Sequence, residues 1–208
     1  MISHACPLRF QVPFSRERQL LITNYLLQKL NKTMRRIILI GYMGAGKTTV
    51  GKALSKELGI PFYDLDWYIE SRMRKTVSQI FAERGEEGFR QIEHNMLHEV
   101  AEFEDVIISC GGGTPCFFDN MDYMNQQGSV IYLKATPEVL YKHLLMGKGK
   151  RPLLEGKSPE ELILFIREQL EKREFFYSKA QYTVDVSLMD DYEKIKITTA
   201  KIRQLLPI

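Results

Sequence analysis

An eight-residue stretch, Gly41-Tyr42-Met43-Gly44-Ala45-Gly46-Lys47-Thr48, fits the phosphate-binding pattern G-x-x-x-x-G-K-[ST]. In this pattern the glycines let the backbone curl, so that several N–H groups point at phosphate oxygens. The lysine reaches the β- and γ-phosphates, and the hydroxyl after it binds Mg²⁺. An ordinary glycine-rich turn is the alternative, but the stretch also lies between a predicted strand and a predicted helix. It therefore predicts a nucleoside triphosphate site formed by Gly44, Ala45, Gly46, Lys47, Thr48 and Thr49.

Two aspartates, Asp64 and Asp66, follow a short apolar stretch that predicts a strand. In a turn from strand to helix, residues two positions apart can both face the ligand crevice at the carboxyl edge of a parallel sheet. One carboxylate can then help to hold Mg²⁺, directly or through water, while the other accepts a proton from a substrate hydroxyl. The alternative is that Asp66 only caps the following helix.

A substrate carboxylate could be held by Arg90, because a guanidinium can bind a carboxylate through two parallel hydrogen bonds. Glu93 lies three residues further on, on the same helical face, where it could orient Arg90. A solvated surface ion pair is the alternative. Gly111-Gly112-Gly113 follows an apolar strand and allows the backbone to approach a ligand closely, although it could also be a flexible turn.

A basic loop with glycines, Gly147-Lys148-Gly149-Lys150-Arg151-Pro152-Leu153-Leu154, precedes a predicted long helix that carries Arg173. A loop of this composition and length predicts a lid, which we place at about residues 147–159. Closure of such a lid would exclude water and bring a cation to a transferring phosphoryl group.

Strand and helix patterns alternate from Arg35 onward, which indicates a parallel α/β sheet. The predicted strands are Arg35–Ile40, Pro61–Asp64, Val106–Cys110, Ser129–Leu133 and Tyr182–Val186. The predicted helices are Thr49–Leu58, Leu65–Arg74, Ser78–Glu102 with an interruption near Gly85 and Gly88, Met121–Gln127, Pro137–Leu145, Pro159–Ser178 and Tyr192–Leu206.

The composition is that of a soluble globular protein, with 44% hydrophobic and 26% charged residues among 208. No apolar run approaches the ~18 residues that a membrane span needs, so we expect no membrane partner. Cys6, Cys110 and Cys116 form no C-x-x-C pair, which favours reduced thiols and a cytoplasmic location.

Positive charge is concentrated in the first 33 residues, which carry five basic residues and one glutamate and hence a net charge of +4. The whole chain has a net charge of +3, so the remainder carries −1. A domain without excess positive charge is a poor candidate for nucleic-acid binding. The charge distribution therefore favours a small-molecule substrate. Residues 1–33 are predicted to be an N-terminal extension, poorly ordered or forming one helix over Glu17–Leu30, before a domain that spans residues 34–208.

His94 and His98 are spaced so that both could bind a metal ion from one helical face. No third ligand is evident near them in the sequence and the H-E-x-x-H pattern is absent, so we assign no metal site to this pair. Cys110 ends an apolar strand and is predicted to be a buried small hydrophobe.

In their order along the chain, the motifs resemble those of the shikimate kinase family. They are Gly-x-Met-Gly-Ala-Gly-Lys-Thr-Thr-Val-Gly-Lys, Asp-x-Asp, Gly-Glu-x-x-Phe-Arg-x-x-Glu, Gly-Gly-Gly, Arg-Pro-Leu-Leu and Arg-x-x-x-Tyr, and they cover nearly all of Arg35 to Leu206. The resemblance implies an α/β, three-layer P-loop kinase fold with a lid, in which helices flank a parallel sheet of strand order 2-3-1-4-5. It also implies Mg²⁺ and ATP-dependent phosphorylation of the 3-hydroxyl of shikimate, on the route to chorismate and the aromatic amino acids.

The same resemblance implies a role for each matching residue. Asp66 would bind the shikimate hydroxyls and act as the base, and Asp64 would lie near Mg²⁺. Arg90 and Arg173 would grip the substrate carboxylate, with a backbone contact from Gly111, Gly112 and Gly113. Further matches are Lys47 and Arg151 as catalytic cations, the latter reaching ATP from the lid, and Phe81 and Phe89 as apolar walls of the substrate pocket.

The chain departs from the family pattern at the adenine contact. Many members carry another arginine several residues before Arg-Pro-Leu-Leu, whereas residues 144–150 of this chain contain none. Lys142, His143 and Lys148 are the candidate replacements.

Two other functions remain open from the residues alone. A related P-loop kinase could act on a nucleoside monophosphate or gluconate, with Arg90 and Arg173 binding a phosphate, although Asp-x-Asp together with Gly-Gly-Gly argues against this. A nucleotide-dependent switch protein is the second, but the one Asn-Lys pair, Asn31-Lys32, precedes the P-loop and lacks the aspartate of N-K-x-D. We expect a monomer that binds ATP and shikimate and no nucleic acid.

Overall fold

The computed structural model describes residues 35–146, 158–187, 189 and 191–206. Five strands and seven α-helices lie within these residues, and each predicted element is present with its ends shifted by at most two positions. In chain order they are β1 Arg36–Ile40, α1 Lys47–Leu58, β2 Phe62–Asp64, α2 Leu65–Met73, α3 Val77–Ala101, β3 Val106–Ser109, α4 Asn120–Gln127, β4 Ser129–Lys134, α5 Pro137–Met146, α6 Pro159–Tyr177, β5 Tyr182–Asp185 and α7 Tyr192–Leu205, with a 3₁₀ turn at Thr114–Cys116 before α4.

The strands form one parallel sheet in the order β2-β3-β1-β4-β5, which confirms the predicted fold. β1 is the central strand, and Leu39 near its end pairs with Ser109 of β3 and with Ile131 of β4. Asp64 at the end of β2 pairs with Ser109 as well. The phosphate-binding loop, the aspartates and the three glycines therefore leave the sheet at the same edge.

The two faces of the sheet are covered by separate layers of helices. Side chains alternate along β1, so Ile37 and Leu39 pack in one apolar cluster and Ile38 and Ile40 in another. The first cluster includes buried residues of α1, α6 and α7, and the second includes buried residues of α2, α3 and α4. Burial on both faces explains why the strands are apolar runs rather than alternating ones.

Helix α3 is interrupted at one of the two predicted glycines. Gly85 has φ 68° and ψ −176°, a backbone conformation that favours glycine, whereas Gly88 remains helical. The predicted interruption near Gly85 and Gly88 is therefore confirmed, and it falls at Gly85. The kink separates the first two turns of α3 from the segment that carries Arg90 and Glu93.

None of the helices in the described part of the chain combines the length and apolar character that crossing a membrane requires. The predicted lid lies outside the described residues, apart from Ser158 and Pro159 at the start of α6, and so does Arg151. The predicted N-terminal extension also lies outside them.

Candidate active site

The phosphate-binding loop connects β1 to α1 and depends on glycine at three positions. Gly41, Gly44 and Gly46 all have positive φ angles. A Cβ atom on Gly41 would also lie 2.6 Å from the carbonyl oxygen of Leu133, which is too close for any other residue type. Because α1 begins at Lys47, two residues before the predicted start, its first N–H groups face the loop.

Lys47 lies against the loop that precedes it. Its Nζ donates hydrogen bonds to the carbonyl oxygens of Gly41 at 2.8 Å and Tyr42 at 3.0 Å. Burial lowers the pKa of the Lys47 ammonium to about 8, although the carboxylates of Asp66 and Asp64 oppose this change. The amine is therefore held at the centre of the loop and is mostly charged at neutral pH.

Thr48 and Asp64 bring two hard oxygen ligands together beside Lys47. The Thr48 hydroxyl donates a hydrogen bond of 2.8 Å to Oδ2 of Asp64, which connects the start of α1 to the end of β2. A hydroxyl and a carboxylate suit Mg²⁺, which prefers oxygen ligands and usually keeps several waters. The donor set thus fits the predicted magnesium site.

Asp66 lies in the first turn of α2, where it does not act as the helix cap. The N-cap residue is Asp64, and its side chain makes no capping hydrogen bond. Burial raises the pKa of the Asp66 carboxyl to about 6, the carboxylates of Asp64 and Glu93 act in the same direction, and Lys47 opposes them. A carboxylate with a pKa close to neutrality is suited to accept a proton.

Arg90 and Glu93 form a partly buried pair, so the alternative of a solvated surface ion pair is wrong. Nη1 of Arg90 donates to Oε2 of Glu93 at 3.0 Å, and the two side chains are only 14% and 1% exposed. Glu93 also accepts a hydrogen bond of 2.6 Å from the hydroxyl of buried Thr114. The guanidinium of Arg90 lies 4.2 Å from the ring centre of Phe117.

The segment Gly111–Gly113 passes between the charged groups of the site. A Cβ atom on Gly111 would lie 2.7 Å from Oε1 of Glu93, and one on Gly113 would lie 2.9 Å from both Nη atoms of Arg90. A Cβ atom on Gly112 would lie 3.3 Å from Nη1 of Arg173. The three glycines are therefore needed for close approach, and the alternative of a merely flexible turn does not account for these contacts.

Helix α6 positions Arg173 beside the same glycine segment. Its guanidinium lies 5.2 Å from the ring centre of Tyr42 and donates a hydrogen bond of 3.3 Å to the side chain of Gln169. One turn later, the hydroxyl of Tyr177 donates to the carbonyl oxygen of Gly112 at 2.5 Å. This bond fixes α6 against the glycine segment.

Phe81 and Phe89, which are predicted to form apolar walls of the substrate pocket, come together on α3. Their rings stack at 4.4 Å between centres, and the guanidinium of Arg90 lies 5.4 Å from the Phe89 ring. Cys110, at the end of β3, is buried against Met124, which agrees with its predicted role as a small hydrophobe.

A cavity of about 530 Å³ lies beside these groups, and Arg90, Arg173, Phe81 and Phe89 are not among its lining residues. Its lining includes loop residues, Lys47, Thr48, both aspartates and the first two glycines of the tripeptide. The lining also includes residues to which the sequence analysis assigned no role, namely Met146, Met189 and Ile195, together with His143. Of the candidate adenine contacts, His143 lines the cavity, Lys142 is exposed elsewhere on α5, and Lys148 lies outside the described residues.

A family model described as shikimate kinase matches residues 43–205 of the chain. A curated relative named shikimate kinase, from Parabacteroides distasonis, is 64% identical over 156 residues, which are 75% of this chain and 90% of that protein. The chain belongs to the shikimate kinase family. The predicted family resemblance is therefore confirmed.

Solved structures of shikimate kinases agree with this assignment. The crystal structure of the enzyme from Bacteroides thetaiotaomicron has a TM-score of 0.82 and 52% sequence identity, and the match covers 85% of this chain and all of that one. The enzyme from Acinetobacter baumannii, solved in complex with shikimate, has a TM-score of 0.73 and 34% identity over 85% of this chain and 95% of that one. The fold and the sequence therefore agree in placing the chain among the shikimate kinases.

Proposed function

We propose that the protein transfers the γ-phosphoryl group of ATP to the 3-hydroxyl of shikimate in the cavity at the carboxyl edge of the sheet. The products are ADP and shikimate 3-phosphate, and the reaction belongs to chorismate and aromatic amino acid biosynthesis. The observation that carries this proposal is the meeting of Asp66, Arg90 and Arg173 around Gly111–Gly113, a segment whose first two glycines line the same cavity as the phosphate-binding lysine.

Shikimate presents one carboxylate and three hydroxyls, and the crevice offers complementary groups. Arg90 and Arg173 bind the carboxylate, because two guanidiniums supply parallel N–H donors in a partly desolvated place. Glu93 holds Arg90 in position through their hydrogen bond. Asp66 accepts hydrogen bonds from the hydroxyls, and the stacked rings of Phe81 and Phe89 form an apolar wall.

Asp66 takes the proton of the 3-hydroxyl as the oxygen attacks the γ-phosphorus. Lys47 lies where charge develops on the phosphoryl oxygens, and Arg151 adds a second positive charge when the lid closes. Thr48 and Asp64 would hold Mg²⁺, which would supply positive charge to neutralise the phosphates of ATP. Each of these residues acts mainly by position and charge, since phosphoryl transfer needs little covalent help from the protein.

The adenine of ATP lies against the apolar residues of the cavity lining. Met146, Met189 and Ile195 supply apolar contact there in place of the missing arginine, and polarisable thioethers pack well against aromatic rings. His143 donates a hydrogen bond of 2.9 Å from Nδ1 to the carbonyl oxygen of Gly44, which holds the imidazole at the cavity wall. The proposed partners are ATP and shikimate, bound by a cytoplasmic monomer with no nucleic-acid or membrane partner.

A coupled assay of ADP release tests the proposal. Purified protein is supplied with MgATP and with shikimate, gluconate or a nucleoside monophosphate in separate reactions. We expect rapid release with shikimate and near-background release with the others. Release with gluconate or a nucleoside monophosphate at the rate seen with shikimate would contradict the proposed substrate.

A further inference from the structure

A second group of potential ligands lies outside the cavity, where α3 meets the start of α4. His94 and His98 are one turn apart on α3, and Asp119 precedes the first residue of α4. Each offers one ligand atom, and these atoms all lie within 4.8 Å of one another. No third ligand for the histidine pair is evident in the sequence, and the fold brings Asp119 close to it.

His94 is oriented for ligation by a buried neighbour. The side-chain amide of Asn120 donates from Nδ2 to the carbonyl oxygen of Thr114 at 2.9 Å, so its Oδ1 is an acceptor. Oδ1 lies 2.6 Å from Nδ1 of His94, which must therefore carry the proton. The lone pair on Nε2 is left for a ligand, as in metal sites whose histidines donate their other N–H to a protein oxygen.

His98 is held in place and lacks a partner for one nitrogen. Its ring stacks on Tyr123 at 3.6 Å between centres and 11° between planes. Its Nε2 is buried without a hydrogen bond to any described residue, and leaving such a polar atom unpaired is costly.

Asp119 can complete the group with little rearrangement. Its side chain is 70% exposed, makes no capping bond to α4, and lies 4.0 Å from Nδ1 of His94. Tetrahedral zinc sites place ligand atoms roughly 3.3 Å apart, so the exposed Asp119 carboxylate would have to turn from Nδ1 toward Nε2 of His94 to complete such a site.

We propose that His94, His98 and Asp119 bind a divalent ion of the zinc type, with solvent as the remaining ligand. Two imidazoles and a carboxylate suit Zn²⁺ and its transition-metal neighbours, whereas Mg²⁺ and Ca²⁺ prefer oxygen alone. The site is separate from the oxygen ligands Thr48 and Asp64 in the nucleotide cavity.

A Zn²⁺ titration of the full-length chain against a chromophoric chelator, with excess Mg²⁺ present, tests the site. We expect one ion per chain, and a loss of affinity of about tenfold or more in both His98→Phe and Asp119→Asn. Phenylalanine preserves the stack on Tyr123, and Asp119 is too exposed for its replacement to disturb folding. Asp122→Asn is the matched control, since Asp122 is exposed on the same helix and pairs with Lys179.

Cobalt absorption spectra provide the second measurement. Co²⁺ at the proposed site lacks thiolate charge-transfer bands, which binding at a cysteine would add. The proposal is overturned by the absence of saturable Zn²⁺ binding, by wild-type affinity in Asp119→Asn, by an equal loss in Asp122→Asn, or by thiolate bands in the cobalt spectrum.

Discussion

Lys47 and Asp66 share one cavity, and their pKa values are moved toward neutrality from opposite sides. Burial penalises the charged form of each side chain, so the pKa of Lys47 is lowered to about 8 and the pKa of Asp66 is raised to about 6. Both groups are therefore mostly ionised between those two pH values. Triphosphate bound beside Lys47 adds negative charge and extends this range upward, because it stabilises the ammonium.

Replacing the proposed base should abolish most turnover without harming the fold. We expect Asp66→Asn, which is nearly isosteric, to lower kcat by about 10²–10⁴-fold. The raised pKa means that ionised Asp66 destabilises the folded state above pH 6, so the variant should melt no lower than wild type at pH 8. Turnover within a few-fold of wild type, with a normal melting curve, would reject the role.

The raised pKa of Asp66 can be measured directly. We expect carboxyl ¹³C resonances in the ligand-free protein to show one aspartate that titrates near pH 6 and that disappears in Asp66→Asn. Glu93→Gln removes a negative charge that favours the protonated form, so the titration should move to lower pH. A base must be deprotonated to act, and activity should therefore fall as the pH drops through the same value. An Asp66 that titrates near pH 4 would contradict the environment described.

Arg90 and Arg173 are predicted to distinguish shikimate from ATP. Arg→Lys keeps the charge but loses the planar pair of donors, and a charge-assisted hydrogen bond contributes about 1.5–3 kcal/mol. Either substitution should weaken shikimate binding by about 10- to 100-fold and leave ATP binding nearly unchanged, as measured by calorimetry. Arg167→Lys is the matched control for Arg173→Lys, because Arg167 lies on the same helix as Arg173 but pairs with Glu138 at the surface. Equal losses for both ligands would point to a wrong site assignment.

At the scale of the elements, the sheet was predictable because its strands are short apolar runs separated by helical patterns. Asp64, Asp66 and Gly111–Gly113 could be placed for the same reason, since each follows a predicted strand. Thr114, Phe117 and Asn120 could not be placed, because they lie in a 3₁₀ turn, directly after it and at the start of α4, where no sequence period marks a contact with α3. Met189 and Ile195 reach the cavity only because β5 and α7 return to the carboxyl edge of the sheet.

The glycine segment after β3 is predicted to tolerate side chains unequally. A methyl group on Gly111 would meet Glu93, whose carboxylate is buried and fixed by Arg90 and Thr114. One on Gly112 would lie closest to the end of the Arg173 side chain, which can move, and would make ordinary 3.5 Å contacts with backbone atoms of Gly41 and Met43. Gly111→Ala should therefore destabilise the protein by about 1–3 kcal/mol in denaturant unfolding, and Gly112→Ala by less. Equal effects would contradict the packing described.

At the scale of the whole molecule, the proposed active-site residues come from distant parts of the chain and lie at one edge of the sheet. Loops after β1, β2 and β3 supply the phosphate loop, the aspartates and the glycines, while α3 and α6 each bring an arginine across the same edge. Such a site depends on helix packing on both faces of the sheet, since neither arginine follows a strand. Core substitutions under α6 can therefore alter shikimate binding without touching the substrate.

The last prediction concerns residues 1–33, which we expect to be dispensable. The family model begins at residue 43, and the match that covers the whole Bacteroides thetaiotaomicron chain uses 85% of this one. Every residue assigned to the active site follows Met34, whereas residues 1–33 contribute a net charge of +4 and no proposed ligand contact. A shortened chain that begins at Met34 should keep its kcat and should melt within a few degrees of the full chain. The rival hypothesis is that Leu20–Leu30 docks on the domain or forms a dimer contact. A large fall in melting temperature, or a change of oligomeric state in light scattering, would favour that hypothesis and contradict ours.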